Sequence, residues 1–369
     1  MATREIAQIS SSVPVAFLAG LAAALLLTPA VRRLARRLGW MDRPDGGRKR
    51  HSSPVPRVGG LAVYAGFSLA VCAAVALLPE DARSGAGMAS AMAHLLAAAT
   101  PVMLVGLLDD VRGVRPLGKI AVQALSGLYL FLYGYRVARV TDPFGGPALE
   151  LGWLSLPLTV LWFVAMSNAF NLIDGLDGLA AGVGLFATFT LLVSAVLNER
   201  WSMVVVLCAL AGALLGFLRY NFSPASVFLG DSGALFVGFV LAGLAIRSSM
   251  KATAVVAVGA PLCALALPIL DVLLAVTRRL AAGQHVFEAD QDHIHHRLIR
   301  RGLSPRRAVV SLYGVAAAGA SLSLVTLGGS TLVVWASLCA AALLVFAGMR
   351  ELGYAEFGEF ARLLLRRFL

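Results

Sequence analysis

Residues 178–198 read GLAAGVGLFATFTLLVSAVLN, and after Glu199 and Arg200 the chain resumes at 201–218 as WSMVVVLCALAGALLGFL. Neither stretch holds a charged side chain. Each approaches the roughly 20 apolar residues a helix needs to cross the hydrocarbon core of a bilayer. Both are too long for a buried strand, which runs about 4–8 residues. Working outward, further stretches free of Asp, Glu, Lys and Arg lie at 13–31, 58–79, 84–108, 120–135, 151–173, 232–246 and 252–270. The run 308–349 is too long for one helix, and Gly328, Gly329 and Ser330 divide it in two. The sum is eleven expected spans, with 120–135 and 232–246 the shortest.

Composition agrees. Of 369 residues, 59% are hydrophobic and 14% charged, against about 45–50% and about 25% in soluble domains. A soluble two-domain enzyme, a disordered chain and a disulfide scaffold are excluded. The four cysteines, Cys72, Cys208, Cys263 and Cys339, stand alone in apolar runs and read as small buried hydrophobes. The expected fold is an all-α polytopic membrane protein: one transmembrane domain over 1–349 and an amphipathic tail over 350–369 that lies along the membrane surface.

The net charge is +11, from 31 Lys and Arg against 20 Asp and Glu. Assigned to alternate loops of an eleven-span map, 24 of the basic residues fall on one face and 7 on the other. The positive-inside rule then places the N-terminus outside and the C-terminus in the cytoplasm of an inner membrane. The same asymmetry accounts for the basic charge without nucleic acid. Polar chemistry gathers on the basic face, and a cytoplasmic-face active site is expected there.

Four motifs carry that chemistry. Asp109 and Asp110 close the span LVGLLDDVRG (104–113). Two acids at a helix C-terminus oppose the helix dipole and repel each other, so a structural gain is small. NAFNLIDGLDG (168–178) spaces Asn168, Asn171, Asp174 and Asp177 three apart. A helix continuing through it would set them on one strip, a dear placement inside a membrane. Such hard oxygen donors suit Mg²⁺ and phosphate rather than Zn²⁺. NFSPASVFLGDSG (221–233) holds Asn221, Phe228 and Asp231, the last at the start of a span. EADQDHIHHRLIRR (288–301) holds His293, His295, His296 and Arg297, a basic loop suited to anionic groups. Asp271, two turns before Arg278, reads as that residue's ion-pair partner.

Four other readings are weaker. GVRPLGKI (113–120) lacks the hydroxyl residue a P-loop needs after its lysine and follows no strand, although Lys119 remains a phosphate partner as a point charge. GDSG at 230–233 resembles a serine-protease fragment, yet Ser232 opens a membrane helix. A zinc site at the histidines lacks any nearby cysteine. A transporter would place its polar groups near mid-bilayer rather than at loop ends.

In this order the motifs closely resemble the polyprenyl-phosphate N-acetylhexosamine-1-phosphate transferases, glycosyltransferase family 4, from about Pro56 to Arg301. RVGG (57–60) is similar to an early family motif, and HIHHR (293–297) to the bacterial undecaprenyl-phosphate N-acetylglucosamine-1-phosphate branch. Ile294 interrupts the run of three histidines found in the muramoyl-pentapeptide branch. The resemblance implies transfer of a sugar 1-phosphate from a UDP-sugar to polyprenyl phosphate with release of UMP, a first membrane step of envelope polysaccharide synthesis. It implies Mg²⁺, with Mn²⁺ as a substitute, held by Asn171 and Asp231. It implies catalytic roles for Asp109, Asp110, Asp174 and Asp177, the first two at the lipid phosphate. It implies substrate contacts from Gly175, Asn221, Phe228, His293, His295, His296 and Arg297, beside the phosphate contact already read for Lys119. The partners expected are the UDP-sugar, the lipid acceptor, the membrane and a second copy in a homodimer.

Overall fold

The structure, a computed structural model, describes residues 2–43, 53–77, 88–140, 149–249, 266–281, 293–328 and 331–352. Among these the elements, in order, are α1 (Ala2–Leu38), β1 (Met41–Asp42), β2 (Val55–Pro56), α2 (Gly60–Ala76), α3 (Met88–Arg112) and α4 (Pro116–Leu132). Then come β3 (Arg139–Val140), β4 (Leu149–Glu150), α5 (Ser155–Ile173), α6 (Leu179–Leu197), α7 (Trp201–Asn221) and α8 (Gly230–Ser249). The chain continues as α9 (Ala266–Ala281), α10 (Ile294–Arg300), α11 (Pro305–Gly328) and α12 (Thr331–Glu351).

Among the described residues, seven helices are long and apolar enough to cross a membrane, and three shorter apolar ones lie at Gly60–Ala76, Pro116–Leu132 and Trp335–Gly348. The protein is therefore an all-α, multi-pass membrane protein. The expected span at 252–270 falls mostly outside the described residues, as do Glu288–Asp292 of the histidine motif's lead-in and nearly all of the tail. The expected division of 308–349 is seen, between Gly328 and Thr331. The short expected span at 232–246 proves to be the core of the 20-residue helix α8, because Asp231 and Arg247 sit inside its ends.

α8 is the centre of the bundle. In its apolar stretch 89% of residues are buried, against 22% for α1. A helix apolar all round belongs inside a larger assembly, and α8 packs on α3, α5, α6 and α2. α1 lies along α7 and α2 at the rim. Phe67, Phe163, Phe236 and Phe239 fill the core, with Phe67 edge-on to Phe236. Leucines on the perimeter, such as Leu26, Leu125 and Leu332, are strongly exposed, as a lipid-facing surface requires. Cys208 is buried, but Cys72 and Cys339 face outward, so the expectation holds for one of these three, and Cys263 lies outside the described residues.

A short zipper anchors the segment before α2. β1 pairs antiparallel with β2. Beyond it, Phe228 N–H donates to Pro56 carbonyl (2.8 Å), Gly59 N–H to Phe228 carbonyl (3.0 Å) and Gly60 N–H to Leu229 carbonyl (2.8 Å). The RVGG and FLGD motifs, some 170 residues apart in sequence, are thereby stitched together.

Candidate active site

The ends of four helices converge at one end of the bundle. The C-terminal turn of α3 brings Asp109 and Asp110, the first turn of α4 brings Lys119, the last turn of α5 brings Asn171 and the first turn of α8 brings Asp231. Asp231 Oδ2 accepts from Lys119 Nζ (2.8 Å) and Asn171 Nδ2 (3.2 Å). Lys119 Nζ also donates to Asp109 Oδ2 (3.2 Å), whose Oδ1 accepts from Val114 N–H (2.7 Å). One ammonium thus joins carboxylates from two helices, with both side chains about 15% exposed.

Asp110 plays a different part from its neighbour. Its Oδ1 accepts from Asp231 N–H (2.9 Å) and its Oδ2 from Ser232 N–H (3.0 Å). These are two of the orphan donors at the start of α8. A carboxylate from another helix caps them and meets the positive end of the α8 dipole. Asp110 is buried and so fixes where Asp231 stands.

The strip of four polar residues expected at 168–177 is divided. α5 stops at Ile173, Asp174 leaves helical geometry, and Gly178 is left-handed at φ 81° before α6 begins. Asn168 turns to Gln123, donating to its Oε1 at 2.6 Å. Asp174 and Asp177 instead ride a turn, and Asp177 Oδ2 accepts from Ala225 N–H (2.9 Å). The reason is local: glycines at 175 and 178 make the turn easier than a further helical turn.

A cavity of about 590 Å³ opens here, within the range of roughly 300–1,000 Å³ typical of small-molecule sites. Of the residues singled out in the sequence, Asn171, Asp174, Gly175, Asp177, Asn221, Phe228, Asp231 and His296 line it. Asp109, Asp110, Lys119, His293, His295 and Arg297 are not among its lining residues. Asn221 donates to Val227 carbonyl (3.0 Å), and its Oδ1 is buried with no hydrogen bond from the described residues.

The histidine segment is a short helix rather than a loop. α10 starts at Ile294 with His293 at its N-cap. Asp271 organises it: His293 Nδ1 bonds Asp271 Oδ2 (2.9 Å), and Ile294 N–H donates to Asp271 Oδ1 (2.9 Å). The sequence pairs Asp271 with Arg278 because they share a helix. A fold that brings α10 over α9 cannot be read from that spacing. The His295 ring lies so close over Gly175 that a Cβ there would strike its Nε2, so the bare glycine seats the ring. Arg297 Nη1 reaches back to Leu352 carbonyl (3.3 Å). The sequence reading also missed Arg57, Asp42 and Ser53 as cavity residues. The RVGG motif was the available signal for Arg57.

Asp174 carries a distinct electrostatic load. Burial, then the charges of Asp231 and Asp110, hold its carboxyl well above the ordinary carboxylate range. A carboxyl whose pKa rises on folding keeps its proton longer in the folded state. Stability therefore falls as pH climbs from the unfolded pKa to the folded one, and the loss persists above it. Asp174→Asn should raise Tm relative to the parent at pH 8, with the difference shrinking below about pH 4, while turnover drops. Melting curves across pH, with activity measured on the same samples, check both halves.

The donor set can also be tested against a divalent ion. Among the described residues, no three His, Cys, Asp or Glu side chains gather closely enough to enclose a metal. Mg²⁺ does not need such a cage. It keeps several waters and takes one or two protein oxygens plus substrate phosphates. Asp231 with Asn171, beside a cavity lined by Asp174 and Asp177, fits that requirement.

The profile of glycosyl transferase family 4 matches residues 92–249. The chain is 35% identical over 324 residues to the "probable undecaprenyl-phosphate N-acetylglucosaminyl 1-phosphate transferase" of Bacillus subtilis, covering 88% of this chain and 87% of that one. It is 37% identical over 334 residues to the decaprenyl-phosphate N-acetylglucosaminephosphotransferase of Mycobacterium tuberculosis, covering 83% and 82%. It is 28% identical over 296 residues to the undecaprenyl-phosphate alpha-N-acetylglucosaminyl 1-phosphate transferase of Escherichia coli K12, covering 79% and 77%.

Proposed function

The chain belongs to glycosyl transferase family 4, and on that premise we propose that it transfers N-acetylglucosamine 1-phosphate from UDP-N-acetylglucosamine to undecaprenyl or another polyprenyl phosphate, releasing UMP. The observation that carries this reading is the convergence of Asp109, Lys119, Asn171 and Asp231 in one hydrogen-bonded cluster, of which Asn171 and Asp231 line a cavity of nucleotide-sugar size. They stand at the end of a membrane bundle, where a water-soluble donor can meet a lipid.

An acceptor phosphate oxygen forms a bond to the donor's β-phosphorus, and the bond from that phosphorus to the UMP oxygen breaks. A lipid phosphate has a second pKa near ~6, by analogy with phosphoserine. It is largely dianionic at neutral pH, so the site has more need to screen repelling phosphates than to remove a proton. Lys119 supplies one positive charge, poised by Asp109 and Asp231. Asp110 holds Asp231 in place through the backbone of α8. Asp174, Asp177, Asn221 and Phe228 shape the donor cavity, and α10 presents His296 to it. Asn171 and Asp231 would hold Mg²⁺, or Mn²⁺ in its place, which when bound supplies Lewis-acid neutralisation of the diphosphate.

The sugar is tested by thin-layer analysis of lipid products from the purified protein with a panel of UDP-sugars. UDP-N-acetylglucosamine should be the efficient donor. Use of a muramoyl-pentapeptide donor alone would overturn the choice of sugar.

The charge distribution supports an orientation with the site in the cytoplasm, the N-terminus outside and eleven spans in the inner membrane. Reporter fusions after Arg57 and after Arg307 should both read cytoplasmic, and an extracytoplasmic signal from either contradicts this topology.

A further inference from the structure

Resting on that reading, we propose that Arg57 is a phosphate-gripping residue of the cavity and that Asp42 is its resting partner, from which a substrate phosphate takes it.

The cavity is poorly furnished for an anion. Its carboxylates are Asp42, Asp174, Asp177 and Asp231, and among its described lining residues the basic side chains are Arg57 and His296. A phosphate entering this field is repelled unless cations face it, and beside a divalent ion at Asn171 and Asp231 a basic side chain of the cavity can supply such charge.

Arg57 has the freedom to do so. Its backbone is fixed on both sides by the zipper, through Pro56 carbonyl and Gly59 N–H to Phe228 and through Gly60 N–H to Leu229. Its carbonyl lies hard against Gly230, next to Asp231. The side chain, in contrast, is 39% exposed and meets Asp42 Oδ1 at 3.8 Å. That is an ion-pair separation beyond hydrogen-bond length, at a partly exposed site where such pairs contribute little. A guanidinium on a fixed base with a loose partner can exchange a carboxylate for a phosphate, which it can bind with two parallel N–H donors. The phosphate belongs either to the donor's diphosphate or to the lipid acceptor.

The test uses the purified full-length protein. It measures kcat, KM for UDP-N-acetylglucosamine, KM for polyprenyl phosphate and direct binding of UDP, with a melting curve for each variant. Arg57→Ala should keep the parent's Tm and weaken one substrate by about tenfold to a hundredfold, the scale of a lost charge-assisted pair. Arg57→Lys should recover only part of this, because an ammonium lacks the fork.

Weaker UDP binding assigns the contact to the donor. A raised KM for polyprenyl phosphate alone assigns it to the acceptor. Asp42→Asn should bind the same substrate as tightly as the parent or more tightly, since it frees the guanidinium. Unchanged UDP binding together with unchanged KM for both substrates in Arg57→Ala overturns the proposal. Asp42→Asn weakening binding as much as Arg57→Ala also overturns it, since Asp42 would then hold the arginine in its working position. UDP binding needs no turnover. A parent that binds UDP but makes no lipid product therefore refutes the transferase reading and leaves the role of Arg57 to be decided by its own arm.

Discussion

Asp231→Asn is expected to lower kcat by about a hundredfold to a thousandfold, the scale seen when one charge-stabilising group is removed from an active site, with the protein still folded and membrane-inserted. The substitution keeps the shape and removes the charge. It leaves Lys119 a neutral amide in place of its shorter carboxylate partner at 2.8 Å, with Asp109 at 3.2 Å its remaining anion, and places the same amide where Asn171 Nδ2 now donates at 3.2 Å. The backbone N–H of residue 231 still reaches Asp110, so the cap of α8 survives and loss of fold is not the cause. UMP release measured beside a melting curve separates the two effects. Turnover near the parent's, with an unchanged dependence on divalent ion, contradicts the role assigned to Asp231.

Gly230→Ala should be the most damaging small substitution in the site. Gly230 sits at φ 72°, and an added Cβ would collide with Arg57 carbonyl and come within 2.7 and 2.8 Å of the two Asp110 carboxylate oxygens. The left-handed backbone alone costs an ordinary residue roughly 1–2 kcal/mol. The collision would in addition push apart the β2 zipper and the Asp110 cap, both of which locate Asp231. Gly302 provides the control: its φ is 91°, yet nothing lies within 4 Å of a Cβ there. Gly302→Ala should lower Tm modestly and spare activity, while Gly230→Ala should lower Tm further and abolish turnover. Equal behaviour of the two variants would mean that the contacts around Gly230 do not matter.

The parts of this architecture that could be read from sequence are those with a short-range signal. Within the described residues, charge-free runs of near-membrane length became helices, and α11 ends at Gly328 before α12 begins at Thr331. Isolated acids and amides at the ends of those runs, Asp109, Asn171 and Asp231, come together around Lys119 at one end of the bundle, where such groups are costly to place beside a membrane.

What escaped was set by contacts distant in sequence. Lys119 and Asp231 are 112 residues apart, and Asp110 caps a helix that starts 120 residues later. Nothing in LVGLLDDVRG distinguishes the acid that faces Lys119 from the one that faces backbone N–H groups. Periodicity also misled at 168–177, where the three-residue spacing matched a helix but Gly175 and Gly178 turned the chain. Asp271 looked like a local ion-pair partner because its spacing from Arg278 is visible in the sequence, whereas the approach of α10, which brings residues 293 and 294 to it, is not.

The central claim, transfer of a sugar 1-phosphate rather than of a sugar, is tested most directly by following the donor's β-phosphorus. Purified protein in bilayer discs would be given polyprenyl phosphate and UDP-N-acetylglucosamine labelled at that phosphorus. The account predicts the label in the lipid fraction, with unlabelled UMP released in equal amount. Label retained in UDP, or released to water as free sugar phosphate, would contradict it.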